Sequence, residues 1–154
     1  MKKIIVLTTA LFTSLSIYAQ SVDDYIEVSR DVLKTEKKAA IAGAMMLTDT
    51  ESGPFWELYN EYNFELTKVQ NLRLTTIKDF ADSFENLSDE KADELWTQTL
   101  SYQKQLLKLK KSYYKKFKKI LPVGKAARYF QAENKIEAMV NAQLAINIPL
   151  LETN

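Results

Sequence analysis

The chain has 154 residues, of which 46% are hydrophobic and 27% are charged, a composition typical of one folded domain. Only three glycines and three prolines occur, which is too few for a turn-rich β architecture and favours helices. Without cysteine or histidine the chain lacks thiol and imidazole nucleophiles and the usual zinc ligands, so we expect a binding protein with no enzymatic activity, metal or cofactor.

The first 19 residues have the pattern of a secretory signal peptide. Lys2 and Lys3 form a basic start, an apolar-biased stretch of about 14 residues follows, and a small residue, Ala19, stands at the expected cleavage position. A membrane anchor is the alternative, but this stretch is too short to span a bilayer. We predict export, cleavage after Ala19 or within two residues of it, and one helical domain over residues 20–154.

The predicted mature chain is divided into two halves of opposite charge. Residues 20–97 carry 17 acidic and 8 basic side chains, whereas residues 98–154 carry 3 acidic and 11 basic ones. Such halves can complement each other within one chain or between antiparallel copies. Together with the apolar area that long helices leave unpaired, this asymmetry predicts a homodimer.

Four amphipathic helices are predicted in chain order, beginning with a shorter one over residues 22–46. The next two are long, and steps of three and four place their apolar residues on one stripe each. The stripe of the second helix contains Phe55, Tyr59, Tyr62, Leu66, Val69, Leu72, Thr76, Phe80 and Phe84. The stripe of the third contains Ala92, Leu95, Thr99, Tyr102, Leu106, Tyr113, Phe117 and Ile120.

The ends of these helices are marked by capping and breaking residues. Thr48 with Glu51 predicts a capping box for the second helix, although Pro54 leaves open a start at Ser52 or a kink. Ser88 predicts the cap of the third helix. Pro122 and Gly124 separate it from a fourth helix that ends before Pro149. The predicted fold is therefore all-α, with four helices and no strands.

A weak repeat relates the two long helices at an interval of 40 residues. Apolar and aromatic residues match in the pairs Trp56 and Trp96, Tyr62 and Tyr102, Leu66 and Leu106, and Val69 and Leu109. The repeated unit is a capped start followed by a long amphipathic helix.

A row of lysines follows the third helix on the side opposite its apolar stripe. Its members recur at steps of three and four and are Lys104, Lys108, Lys111, Lys115 and Lys118. One interpretation is a basic face that attracts acidic or unfolded segments, and the alternative is an ordinary solvated helix surface. A nucleic-acid partner would suit the charge, but export argues against it, so we expect none.

Four aromatic residues lie beside or off the predicted core stripes, namely Trp56, Phe64, Trp96 and Tyr114. They are candidates for exposed contacts with a binding partner, although a shared packing role explains the two tryptophans equally well. Glu133, by contrast, falls on the apolar seam of the fourth helix. A buried carboxylate needs a partner, for which Arg73 and Arg128 are candidates, so we interpret it as structural.

Two short motifs and a longer tail resemble the Spy/CpxP-like LTxxQ-motif family of periplasmic proteins. The motifs are Leu47-Thr48 with Glu51 and Leu87-Ser88 with Lys91, so neither keeps the final glutamine. The tail comprises residues 114–122 and 126–135, and it is similar to family members from Bacteroidetes. The resemblance covers roughly residues 40–140.

This resemblance implies a cradle of long bent helices, usually an antiparallel homodimer, whose concave face receives non-native polypeptide in the periplasm. It implies an ATP-independent chaperone or an envelope-stress adaptor. The alternative that it implies is a regulatory subunit, which binds a membrane sensor kinase or an anti-sigma factor, as the sensors of extracytoplasmic sigma factors or of heavy metals do.

Overall fold

The computed structural model describes residues 33–151, and within this range every regular element is a helix. The prediction of an all-α fold is therefore confirmed. The predicted signal peptide, residues 1–19, lies outside the described residues. The chain divides into two units after Ala40, and all the contacts described below lie in the unit that begins at Ile41.

Four α-helices follow one another with short connections. Helix α1 is described over residues 33–45, and α2 covers Asp49–Ser83. A short 3-10 helix, Phe84–Asn86, leads to α3, which covers Asp89–Ile120. Helix α4 covers Val123–Asn147. With 35 and 32 residues, α2 and α3 each extend for about 50 Å.

Local side-chain contacts explain where the two long helices begin. Thr48 is the N-cap of α2, and its backbone N–H donates to the Glu51 carboxylate at 2.9 Å, as in a capping box. Ser88 caps α3 and accepts a hydrogen bond from the Lys91 backbone N–H at 3.2 Å. Helix α2 therefore starts at the predicted capping box rather than at Ser52, and it continues through Pro54.

Helices α2 and α3 contact each other in reverse chain order. Near the start of α2, the Phe55 ring lies 5.6 Å from that of Phe117, at the end of α3. Nearer the end of α2, the Thr76 hydroxyl lies 3.1 Å from the side-chain oxygen of Gln98, close to the start of α3. The two helices therefore run antiparallel.

Aromatic side chains dominate the core where the start of α2, the end of α3 and the start of α4 meet. Phe55, Tyr62, Phe117 and Tyr129 are completely buried, and the rings of Phe117 and Tyr129 are only 4.5 Å apart. Ile41 and Met45 of α1 join the same cluster. Large rings bury much apolar area, and tilted or edge-on contacts between them add further stabilisation.

Glu133 is the one buried charged residue among those described, and it lies close to tyrosines of this core. Burial, reinforced by the Glu133 carboxylate, raises the pKa of Tyr59 to about 12, and the same two causes raise the pKa of Tyr62 and Tyr129. The prediction that Arg73 or Arg128 pairs with Glu133 is wrong. Arg73 donates instead to Asn141 on α4, and Arg128 is exposed.

Helix α4 buries side chains mainly in its first half. Ala126, Tyr129 and Glu133 are buried there, and Lys110 of α3 binds both Glu137 and the Asn134 side chain. Further along, Met139 and Ile146 are 65% and 77% exposed. The far halves of α2 and α3 are therefore covered less completely, with α4 contacting them through side chains such as Asn141.

Because of this uneven coverage, only part of each predicted apolar stripe is buried. Leu72, at the middle of α2, is 44% exposed, and Phe80 and Phe84 are only half-buried. The stripes are present as helical patterns, and part of their apolar area stays uncovered within the described chain. An amphipathic face is buried only where another element covers it.

Candidate binding surface

The solvent side of α3 carries an exposed row of positive charge. Lys104, Lys108, Lys111 and Lys115 line one shallow depression together with Leu107 and Ser112. All four lysines are exposed, and none has an ion pair with any acidic residue of the described chain. We call these four residues the lysine row. Its charge is available to a partner because no acidic side chain neutralises it.

Other lysines of the same run connect helices instead. Lys116 of α3 donates to Glu61 of α2 at 2.7 Å, and the same carboxylate accepts from the Tyr113 hydroxyl at 2.9 Å. The Lys118 ammonium, which the sequence grouped with the lysine row, lies 4.9 Å from the Tyr114 ring centre. The basic run therefore contains two kinds of lysine, which one-dimensional spacing does not separate.

An open apolar groove of about 690 Å³ lies between the far halves of α2 and α3 and the end of α4. The residues that line it are mainly apolar and include Ile77, Phe80, Leu95, Trp96, Leu106 and Leu107. Leu107 also lines the depression of the lysine row. The groove and the lysine row therefore form one continuous surface, which combines exposed apolar area with uncompensated positive charge.

Two of the four predicted aromatic contacts are on the solvent side. Trp96 is 61% exposed and lines the groove, whereas Phe64 is 65% exposed on α2, where the Lys68 ammonium covers its ring at 4.3 Å. Trp56 and Tyr114 have less exposure than such contacts need, and for Trp56 this fits the alternative packing role. Both are half-buried and pack against the aromatic core.

The repeat does not give the two tryptophans a shared role. Trp56 packs edge-on against Phe55 at 5.0 Å, under the cover of the aromatic core, whereas Trp96 stands in the uncovered half. The other pairs do share an environment, since Tyr62 and Tyr102 are both buried, as are Leu66 and Leu106. Residues at equivalent positions of the repeat can therefore differ in burial, because α4 covers one part of the α2–α3 pair more fully than the other.

The residues of the two short motifs act at helix starts rather than on the binding surface. Leu47 and Leu87 are half-buried, and Leu47 packs against the core. Lys91 pairs with Glu94 at 3.1 Å and lies 4.0 Å from Asp79 on α2. At the first motif, Lys125 of α4 donates to Glu51 at 2.5 Å and to the Met46 carbonyl at 3.2 Å. Glu51 therefore joins the starts of α2 and α4.

We expect the Glu51–Lys125 pair to stabilise the fold only above acidic pH. The hydrogen bond from Lys125, with that from the Thr48 backbone, lowers the pKa of Glu51 below its ordinary value of 4.5. A carboxylate whose pKa is lowered by folding stabilises the folded state at pH values above its unfolded-state pKa. This stabilisation is lost as the pH falls through its folded-state pKa. Glu51→Gln keeps an acceptor for Thr48 but removes the charge.

The thermal midpoint of Glu51→Gln should therefore lie below that of the wild type at neutral pH, and the two midpoints should converge as the pH falls through the lowered pKa of Glu51. Melting followed by circular dichroism across this range tests the expectation. Asp49→Asn, in the same helix turn, is the control and should lower the midpoint less, because Lys125 binds Glu51 and not Asp49. A constant difference between Glu51→Gln and wild type at every pH would contradict the role of charge.

Several residues of the groove were not predicted as site residues. Leu107 lies beside the apolar stripe of α3, and its adjacency to Leu106 was the available signal. Asn141, which binds Arg73 of α2, and the segment from Ile148 to Leu151 reach the groove because α4 folds back beside α2 and α3. The spacing of residues along the chain does not predict which segments meet at the groove.

Among residues 33–151, no helix combines the length and apolarity needed to cross a bilayer, and no group of three or more acidic side chains is placed to hold a metal ion. No protein-family model matches the chain, and no curated protein or solved structure shows significant similarity to it.

Proposed function

We propose that the chain is an exported, ATP-independent chaperone or envelope-stress adaptor that binds non-native proteins in the periplasm. The observation that carries the proposal is the continuous surface of the groove and the lysine row, joined at Leu107. The signal-like N-terminus and the resemblance to the Spy/CpxP-like LTxxQ-motif family support the same proposal.

The two parts of this surface would act over different distances. Uncompensated lysines attract acidic segments from beyond contact range and speed their encounter. Once a segment has arrived, exposed apolar residues such as Trp96 and Leu107 hold its hydrophobic side chains. Because the groove is open, a client that buries its own apolar residues on folding loses these contacts and is released without nucleotide.

Aggregation of a chemically unfolded acidic substrate, followed by light scattering, tests this proposal. We expect the protein to suppress scattering at near-stoichiometric amounts without ATP, and to suppress it less as salt is added. Undiminished scattering at several-fold excess of the protein would reject the chaperone proposal. In that case, recovery of one membrane sensor at fixed stoichiometry from an envelope extract would instead favour the regulatory subunit.

We also propose that the chain forms an antiparallel homodimer. The acidic residues 82, 85, 89, 90, 93 and 94 surround the turn between α2 and α3, at a distance along α3 from the lysine row. Antiparallel copies would bring opposite charges together. Sedimentation should show a dimer at micromolar concentration that dissociates in high salt, and a monomer at low salt would contradict the proposal.

A further inference from the structure

Arg73 places a positive charge inside the apolar groove. Its side chain is half-buried, and its guanidinium lies 5.6 Å from the Tyr102 ring centre on α3. Its hydrogen-bond partner is neutral, since Nη1 donates to the Asn141 side-chain oxygen at 2.7 Å. Within residues 33–151, no carboxylate forms an ion pair with this guanidinium.

The nearest other charges of the groove compensate each other. Lys110 and Glu137 both line it, and they bind one another across α3 and α4. Among the charged residues that line the groove, Arg73 is therefore the one whose charge is not balanced by another lining residue. A guanidinium carries five N–H donors in a planar fork that matches a carboxylate or a phosphate. A partly desolvated arginine with a neutral partner is thus suited to receive an anion.

Apolar walls extend from this charge along both long helices. On α2, Ile77 and Phe80 follow Arg73 at steps of four and three, so they continue the same face for about 10 Å. Leu95 and Trp96 form the facing wall on α3. The groove therefore has a positive group beside an elongated apolar trough.

We propose that this groove binds a small amphiphile with an anionic head and an aliphatic tail, of the chemical class of long-chain carboxylates. The head contacts Arg73, and the tail lies between Ile77, Phe80, Leu95 and Trp96. The groove volume of about 690 Å³ is in the range of ligand sites that bury most of a small molecule. The ligand and a protein client would share this groove, but ligand binding goes beyond the proposed function because it needs neither the lysine row nor a polypeptide.

The test exploits Trp96, which lines the proposed site. In a Trp56→Phe background, Trp96 is the remaining tryptophan, so its fluorescence reports occupancy of the groove. Dodecanoate, dodecanol and dodecyltrimethylammonium share a tail and differ in the head, and each is titrated below its micelle concentration. We expect dodecanoate to bind about tenfold more tightly than dodecanol, and the cationic amphiphile to bind most weakly.

Two variants assign the preference for an anion to Arg73. Arg73→Gln should bring dodecanoate to the affinity of dodecanol, whereas Lys104→Gln, in the lysine row, should leave the preference intact. Asn141→Ala keeps the guanidinium and frees its donors, so it should bind dodecanoate at least as tightly as the parent protein. Circular dichroism verifies the fold of each variant.

The proposal would be overturned by equal affinity for the three amphiphiles, by the absence of any dodecanoate-dependent change in Trp96 fluorescence, or by loss of the preference in Lys104→Gln. Weaker dodecanoate binding by a folded Asn141→Ala variant would also contradict it. None of these outcomes depends on the aggregation assay, so the ligand site and the chaperone proposal fail separately.

Discussion

Replacing Phe117 with alanine is expected to lower the free energy of unfolding by about 3–5 kcal/mol. Phe117 is completely buried, and its ring contacts Phe55 of α2 as well as Tyr129 and Phe130 of α4. The truncation removes apolar contacts and leaves a cavity where three helices meet. Such a loss is a large fraction of the stability of a typical domain. Urea denaturation followed by circular dichroism measures it.

Phe64→Ala is the matched control, because it deletes the same atoms from a side chain that is 65% exposed. We expect its effect on the free energy of unfolding to stay within about 0.5 kcal/mol. Similar effects of the two substitutions would show that the aromatic cluster around Phe117 is not the core of the folded chain.

Replacing the four residues of the lysine row by glutamine should abolish most of the suppression of client aggregation while leaving the fold stable. The four lysines are exposed and unpaired within the described chain. Neighbouring lysines at steps of three and four repel each other. Their neutralisation should therefore leave the free energy of unfolding unchanged or raise it by about 0.2–0.5 kcal/mol per pair. Light scattering and urea denaturation measure the two effects.

The control removes the same number of charges from other exposed positions, for which we choose Lys34, Lys68, Lys78 and Lys135. This second variant has the same net charge as the first but retains the lysine row. It should suppress aggregation almost as well as the wild type. Equal losses in both variants would mean that overall charge, rather than the charge beside the groove, attracts the client.

The helical fold could be predicted because its signals are local. The capping contacts of Thr48 and Ser88 join residues three positions apart, and the helix break at Pro122 follows from the missing N–H of proline. Each of these signals depends on immediate neighbours in the chain. The start of α3 and the end of α4 therefore agree with the predictions, and α2 begins at the capping box, one of the two starts that Pro54 left open.

The candidate site could be predicted only in part. Spacing on one helix correctly placed the lysine row opposite the buried stripe, because both lie on α3. The burial of Trp56 and Trp96, however, could not be predicted from spacing. Their positions in the repeat are equivalent, but only Trp56 is covered by the aromatic core, and a residue's own helix does not contain that information.

The amino-acid sequence by itself determined that the chain is helical, where α3 starts, and which side of α3 carries the lysines, since these properties arise from contacts within a few residues. The tertiary structure alone decided that α4 covers one half of the α2–α3 pair and leaves the other half open, with Arg73 and Trp96 in a shared groove. The physical reason is that burial and charge compensation depend on which distant segments meet, and neither can be read from periodicity.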